Sequence, residues 1–333
     1  MIKEKLENLI ARRDLSADSM CEVMNKIMKG ELTEAQIGAF ITALRIKGES
    51  IEEVVGAARA MRQNATFIDA GAGAVVDTCG TGGDGSNTFN ISTTAAFVTS
   101  GAGITVAKHG NRSITSKCGS SEVLAALGVN LNAEPVIMEQ CIQEHGIGFL
   151  FAPKMHPAMK NVAPVRQQLG IRTIFNMLGP LTNPAGATGQ VLGVFSEMFA
   201  AALRELGCRR ALVVHGNDGL DEITCTTSTR ITELRDGRIR TFEFFPDLLI
   251  GDYYPKEDII GGEADENAEI TKAVLTGKEQ GAPRKIVLLN AAAAIVSGEI
   301  ADSLDEGVKL AEESIDSGAA YEKLQRLVEF SNQ

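Results

Sequence analysis

From Gly71 onward the chain alternates short apolar runs with helix-patterned stretches, and this alternation restricts the fold more than any other feature. The runs occupy 75–76, 104–107, 149–151, 191–195, 212–215 and 286–289. Strands separated by helices predict a largely parallel sheet with helices on its faces. Residues 230–245 read instead as a hairpin, with Asp236-Gly237 as its tight turn. The acidic, glycine-containing segment 257–269 reads as a solvated loop.

Before Gly71 the pattern is helical throughout. Ile2, Leu6, Leu9 and Ile10 fall on one stripe. Met20, Val23, Met24, Ile27 and Met28 form another before Gly30, a C′ residue by position, and read as core or dimer surface. Thr33-x-x-Gln36 and Ser50-x-x-Glu53 are capping boxes ahead of two more apolar faces. Residues 154–176 return to a helical pattern that rejoins this unit. The predicted fold is α/β: a small all-helical N-terminal domain plus a larger α/β domain with a mostly parallel central sheet. The helical domain takes residues 1–70, completed by about 160–185, and the α/β domain takes 71–159 and 186–333.

Several classes are excluded early. The 333 residues carry a formal charge of −11 and 23% charged side chains, a balance unlike that of a disordered chain. An acidic chain (pI near 5.0) argues against nucleic acid or an anionic membrane as partner. The longest apolar stretch, 286–296, is too short to span a bilayer and contains Asn290. The N-terminus has no apolar signal core, so a cytoplasmic location is expected. The six cysteines lack metal-ligand spacing and read as reduced, packed thiols.

The strongest chemical signal is the stretch from Asp77 to Thr93, DTCGTGGDGSNTFNIST, between a strand and a helix. Its glycines let backbone N–H groups approach a ligand, and the helix N-terminus adds donors and a positive dipole end, which suits phosphate. Gly80, Gly82 and Gly85 match G-x-G-x-x-G, but a dinucleotide site needs an acidic residue about 20 positions later. No Asp or Glu stands between Asp84 and Glu122, and the Walker lysine is missing too. The second strand ends instead in KHGNRSITS (108–116), with Lys117 and Ser120 beyond it. His109 reads either as a base or as a packed, hydrogen-bonded residue. After another strand, HGNDGLDE places Asp221 beside Glu222, an adjacent acidic pair suited to Mg²⁺ delivered with a polyphosphate. A solvated acidic turn is the alternative reading of that motif alone.

Together, GTGGD, NIST, KHGNR, CGSSEVLAALGV, HPAMKNVAPVRQQLGIRTIFNMLGPLTNP and DGLDE resemble the anthranilate phosphoribosyltransferase family over essentially the whole chain. The resemblance implies transfer of the phosphoribosyl group of 5-phosphoribosyl 1-diphosphate (PRPP) to anthranilate, in tryptophan biosynthesis, with inversion at ribose C1. It assigns Gly80, Gly83, Asp84, Thr88, Asn90, Ile91, Ser92 and Thr93 to PRPP. It adds Lys108, His109, Gly110, Asn111, Arg112, Ser113, Ile114, Thr115, Ser116 and Ser120 to the same ligand. Gly80, Asn111 and Arg166 would contact anthranilate, with Pro153, His156 and Met159 lining the ring's entrance. Ser92, Asp221 and Glu222 would meet Mg²⁺, two ions with PRPP. No single general base is identified. A homodimer through the helical domain is also implied. A nucleoside phosphorylase on the same fold would be longer, and a nucleic-acid-binding relative would be basic.

Overall fold

The computed structural model describes residues 2–80, 82, 85–112, 117–194 and 196–333. Four helices open the chain: α1 (Ile2–Ile10), α2 (Ala17–Met28), α3 (Glu34–Lys47) and α4 (Ile51–Gln63). Both capping boxes form. Gln36 N donates to Thr33 Oγ1 while Thr33 N donates to the Gln36 side chain, and Ser50 and Glu53 repeat the exchange. Gly30 follows α2 at φ +72°. The Met20, Met24 and Met28 stripe is buried, so it is core. The α1 stripe is narrower than its spacing predicts: Leu9 is buried and Ile10 faces solvent. Helices α2 and α4 pack so closely that a Cβ on Gly56 would lie 2.2 Å from Ala17 O.

The sheet comprises β1 (Val75–Gly80), β2 (Thr105–Gly110), β3 (Ile147–Phe151), β4 (Gly189–Gly193), β5 (Arg210–Gly216), β6 (Thr229–Arg235) and β7 (Arg238–Phe244). Their order is β3-β2-β1-β4-β5-β6-β7, parallel through β5 and antiparallel in the last two pairs. The hairpin turn is the expected one, with Asp236 at φ 52° and Gly237 at φ 74°. Alternation along the strands splits the core into two. Val191, Leu212, Val214 and Ile231 join one cluster, with helix α5 (Ile91–Gly101) and the helix Ala282–Ser297. Leu192, Ala211, Val213 and Leu234 join the other, with α1–α4 and with Val162, Val165, Ile174, Phe175 and Leu178.

Two readings of the sequence are corrected. The apolar run 286–289 is not a strand; it lies in the helix Ala282–Ser297, packed against α5 and β4. That helix is buried from Ile286 to Ser297 on every side, so no polar face marks its period. Pro283 in its first turn and the Ala291–Ala294 run favour helix. Nor is 257–269 a solvated loop. It forms a 3₁₀ turn, Lys256–Ile259, and the start of the helix Ala264–Leu275, whose Glu263 N donates to Glu266 Oε2 at 2.9 Å. Between them, Ile260 pairs with Thr88 in an isolated antiparallel bridge. Among the described residues no helix is long and apolar enough to cross a membrane.

Candidate active site

The parallel strands end at one edge of the sheet, and the sequence motifs converge there. Strand β1 runs into the glycine turn, where Gly82 and Gly85 both adopt φ +68°. Helix α5 follows, and its N-cap Asn90 makes no side-chain cap bond. Beneath this helix start lies a buried cation. Lys108, near the end of β2, donates its ammonium to Thr78 O, to Thr78 Oγ1 at 3.3 Å and to Ser92 Oγ at 3.4 Å. Thr78 Oγ1 in turn donates to Ser92 O at 3.0 Å. Asp77, fully buried on β1, accepts from His109 N at 3.0 Å. Burial pushes the Asp77 carboxyl up and the Lys108 ammonium down, and each draws the other back toward its charged form.

His109 is packed, not poised as a base. Its Nδ1–H donates to Gly179 O at 3.1 Å, and its Nε2 meets His156 Nε2 at 3.2 Å, accepting that proton. Burial is the main cause that lowers His109 to about 3 and His156 to about 4. Both rings are therefore neutral near pH 7, and they tie β2 to the segment that carries Gly179. Next along, Gly110 leaves room for Ser120: a Cβ there would lie 2.4 Å from Ser120 Oγ, which donates to Asn111 O at 3.3 Å. Asn111 and Arg112 are exposed. Thr88 and Ser92 are half-buried, and Ile91 and Thr93 are buried, which leaves Ile91 only its backbone to offer. Gly83, Asp84, Ser113, Ile114, Thr115 and Ser116 lie outside the described residues.

The acidic turn is built by its neighbours. Asp218 is a strut: its carboxylate accepts from Leu220 N at 3.1 Å, Thr224 Oγ1 at 2.8 Å and Thr226 Oγ1 at 2.5 Å. Asn290 fixes the other end, accepting from Ile223 N and donating to Ile223 O, both at 2.9 Å. Asp221 lies across the ends of β1 and β4. A Cβ on Gly193 would sit 1.8 Å from Asp221 O, and one on Gly80 would be 3.9 Å from Asp221 Cβ. Asp221 Oδ1 stands 3.5 Å from His215 Nδ1, and Glu222 is near enough to Lys108 to favour its charged form. Lys108 links two of the residues read from sequence as Mg²⁺ ligands: it hydrogen-bonds Ser92 Oγ and feels the charge of Glu222, while Asp221 lies at the ends of β1 and β4. Among the described residues no three His, Cys, Asp or Glu side chains cluster as a self-sufficient metal cage. Two carboxylates suit Mg²⁺, which keeps waters and substrate phosphates in its shell.

Arg166 comes from the helix Ala163–Leu169, in the segment that packs on α3. Its guanidinium lies over the Phe175 ring, 5.5 Å from the centroid, and burial lowers its pKa. Among the described residues no carboxylate forms an ion pair with it. Pro153 is exposed, Met159 half-buried and His156 buried. Four amides that carry no motif hold the edge together. Asn290 and Asn267 are two. Asn183 donates to Ala107 O at 2.7 Å, and Gln190 donates to Pro180 O at 2.6 Å. Only Asn290 left a mark, as the polar break in an apolar run.

This assembly has close relatives. Residues 3–65 match the glycosyl transferase family, helical bundle domain, and residues 72–321 match the glycosyl transferase family, a/b domain. An anthranilate phosphoribosyltransferase of Desulfosudis oleivorans is 56% identical over 335 residues, 99% of each chain. One of Syntrophobacter fumaroxidans is 54% identical over the full length of both. The chain belongs to the anthranilate phosphoribosyltransferase family. The crystal structure of the Thermus thermophilus family member superposes with a TM-score of 0.93 at 42% identity, covering 99% of each chain. The Saccharomyces cerevisiae family member, solved in complex with PRPP and Mg, superposes with a TM-score of 0.89 at 28% identity, covering 99% of this chain and 98% of that one.

Proposed function

We propose that the carboxyl edge of the sheet binds PRPP with Mg²⁺ and that the Arg166 side of the helical unit receives anthranilate. The reaction transfers the 5-phosphoribosyl group from PRPP to the anthranilate amine, giving N-(5-phosphoribosyl)anthranilate and pyrophosphate, a step of tryptophan biosynthesis. The observation that carries this reading is the buried Lys108 under the start of α5, flanked by Ser92 and the Asp221-Glu222 turn. A cation and a helix N-terminus that meet at one point favour a polyanion.

In this reading the glycine turn (Gly80, Gly83, Asp84, Thr88), Asn90 to Thr93, the 108–116 loop and Ser120 hold PRPP. Ser92, Asp221 and Glu222 hold Mg²⁺, with two ions accompanying the substrate. The metal supplies neutralisation of the charge that develops on departing pyrophosphate. Lys108 and the α5 backbone add fixed positive potential at the same group without reorganising. Arg166 faces the anthranilate carboxylate as a planar fork, beside Gly80 and Asn111, while Pro153, His156 and Met159 flank the ring. An aromatic amine is unprotonated near neutral pH, so it attacks ribose C1 without a strong base, and inversion follows from attack opposite the leaving group. Neutral His109 is consistent with that economy: it orients the Gly179 segment and moves no proton. Positioning and electrostatics carry the rate.

The division into residues 1–70 with about 160–185, and 71–159 with 186–333, is supported by Val162, Val165, Ile174 and Phe175, which are buried with α1–α4, although one face of the sheet (Leu192, Ala211, Val213, Leu234) shares that core. Association as a homodimer through the helical unit is supported by Ile10 and Ile46, exposed on the mutually packed α1 and α3. Six free thiols fit a reducing cytoplasm. Titration calorimetry of PRPP with and without Mg²⁺ tests the reading. Binding of PRPP that requires the metal, followed by anthranilate binding, supports it; PRPP binding indifferent to Mg²⁺, or none, overturns it.

A further inference from the structure

We infer that Asn267 is a positioning residue for PRPP: it sets the Asn90 side chain at the start of α5 through a one-way chain of amide hydrogen bonds. The inference rests on the reading that PRPP occupies the glycine turn. Asn267 is 1% exposed, on the helix Ala264–Leu275, 177 residues from Asn90. Its Oδ1 accepts from Gly262 N at 2.8 Å. A backbone N–H can only donate, so the amide orientation is fixed, and Nδ2 donates to Asn90 Oδ1 at 3.0 Å. Asn90 Nδ2 then donates to Cys118 O at 3.3 Å, and a carbonyl can only accept. Every amide in the chain therefore has one allowed orientation, set by a backbone donor at one end and a backbone acceptor at the other.

Residues 259–267, a strap laid across the glycine turn, grip it elsewhere too. Gly261 N donates to Asn87 O at 2.9 Å, Phe89 N donates to Ile259 O at 3.3 Å, and Thr88 pairs with Ile260. A Cβ on Gly261 would lie 2.6 Å from Phe89 N, so the two backbones are in direct contact. Thr94 and Thr271 share a hydroxyl hydrogen bond at 3.0 Å one turn further along both helices. Since Asn90 spends its side chain on Asn267 and Cys118 rather than on capping α5, the strap decides where the first turn of that helix points. A shift there moves Asn90 to Thr93 together, which is a change in PRPP binding rather than in anthranilate binding.

Steady-state kinetics of Asn267→Ala, Asn90→Ala and the double variant test this. Asn267→Ala is expected to raise KM for PRPP at least tenfold with KM for anthranilate within threefold. In the Asn90→Ala background the same change should add less than twofold, because its route is already cut. Asn267→Asp keeps the acceptor for Gly262 and loses the donor, so it should follow Asn267→Ala. An unchanged PRPP KM, an equal rise in both KM values, or a full added effect in the Asn90→Ala background would overturn the inference. Should the variants misfold, hydrogen exchange on the wild-type protein still decides. PRPP with Mg²⁺ should slow the amides of Gly261 and Gly262 along with those of the turn, and protection confined to the turn would overturn it. Wild-type protein that turns over no anthranilate refutes the functional reading instead.

Discussion

In the helical unit, three helix starts are capped from within three residues: Thr33 with Gln36, Ser50 with Glu53, Ser16 with Ser19. At the carboxyl edge of the sheet, beyond the local Asp218 turn, the start of α5 and the acidic pair are held by distant partners: Lys108 with Thr78 and Ser92, Ile223 with Asn290, Asn90 with Asn267. Both regions contain a glycine whose missing Cβ admits another backbone, Gly56 against Ala17 and Gly193 against Asp221. The first close approach lets two helices pack. The second places a carboxylate at the ends of β1 and β4. One region's interactions make the fold; the other's spend the fold on a site.

The largest effect expected comes from the acidic turn. Replacing both Asp221 and Glu222 with Ala should cut kcat/KM by about 10³-fold or more and abolish its dependence on added Mg²⁺. A magnesium titration identical to wild type would refute their role. Next is the pair of glycines. Gly193→Ala forces the Asp221 backbone aside and should lower kcat/KM about 100-fold, at Mg²⁺ concentrations that saturate the wild type. Gly56→Ala should cost about 1–3 kcal/mol through overpacking, read as a lower Tm, while the folded enzyme keeps its KM values. Interchanged phenotypes would break the comparison between the regions.

Arg166→Ala should raise KM for anthranilate about tenfold, a loss of about 1.4 kcal/mol, and leave KM for PRPP nearly unchanged. Equal rises in both would sink that assignment. The smallest effect on turnover is expected from the histidine pair. His109 near 3 and His156 near 4 lie below the ordinary 6.5, so the folded chain binds fewer protons than the unfolded chain between those values. That contribution to stability is complete above pH 6.5 and is lost as pH falls toward 3. Tm should therefore decline below pH 6.5, less steeply in His156→Gln, while kcat stays flat from pH 6 to 8. A bell-shaped kcat profile centred in that range would give His109 a proton-transfer role.

The regional contrast also sets what was legible from the sequence. Capping boxes, the methionine stripe, five strands and the Asp236-Gly237 hairpin rest on spacings of a few residues, and these were readable. The helix Ala282–Ser297 was not, because a helix buried on all sides has no polar face to reveal its period. The 257–269 segment read as solvent-facing from its charge, although Asn267 and Thr271 point inward from a helix whose acidic residues face water. At the site, the glycine turn and the acidic pair were visible as local motifs. Arg166 came only through family resemblance, since its neighbour Phe175 lies in another element. Asn267, Asn183 and Gln190 carry no local signature, because each reaches a group far along the chain: the Asn90 side chain, Ala107 O and Cys79 Sγ.

The most direct measurement follows anthranilate's own fluorescence in mixtures of protein, anthranilate, PRPP and Mg²⁺, with pyrophosphate measured in parallel. The signal should fall only when all components are present, with one pyrophosphate released per anthranilate consumed. No loss with folded protein, or loss without PRPP, would contradict the proposed transfer.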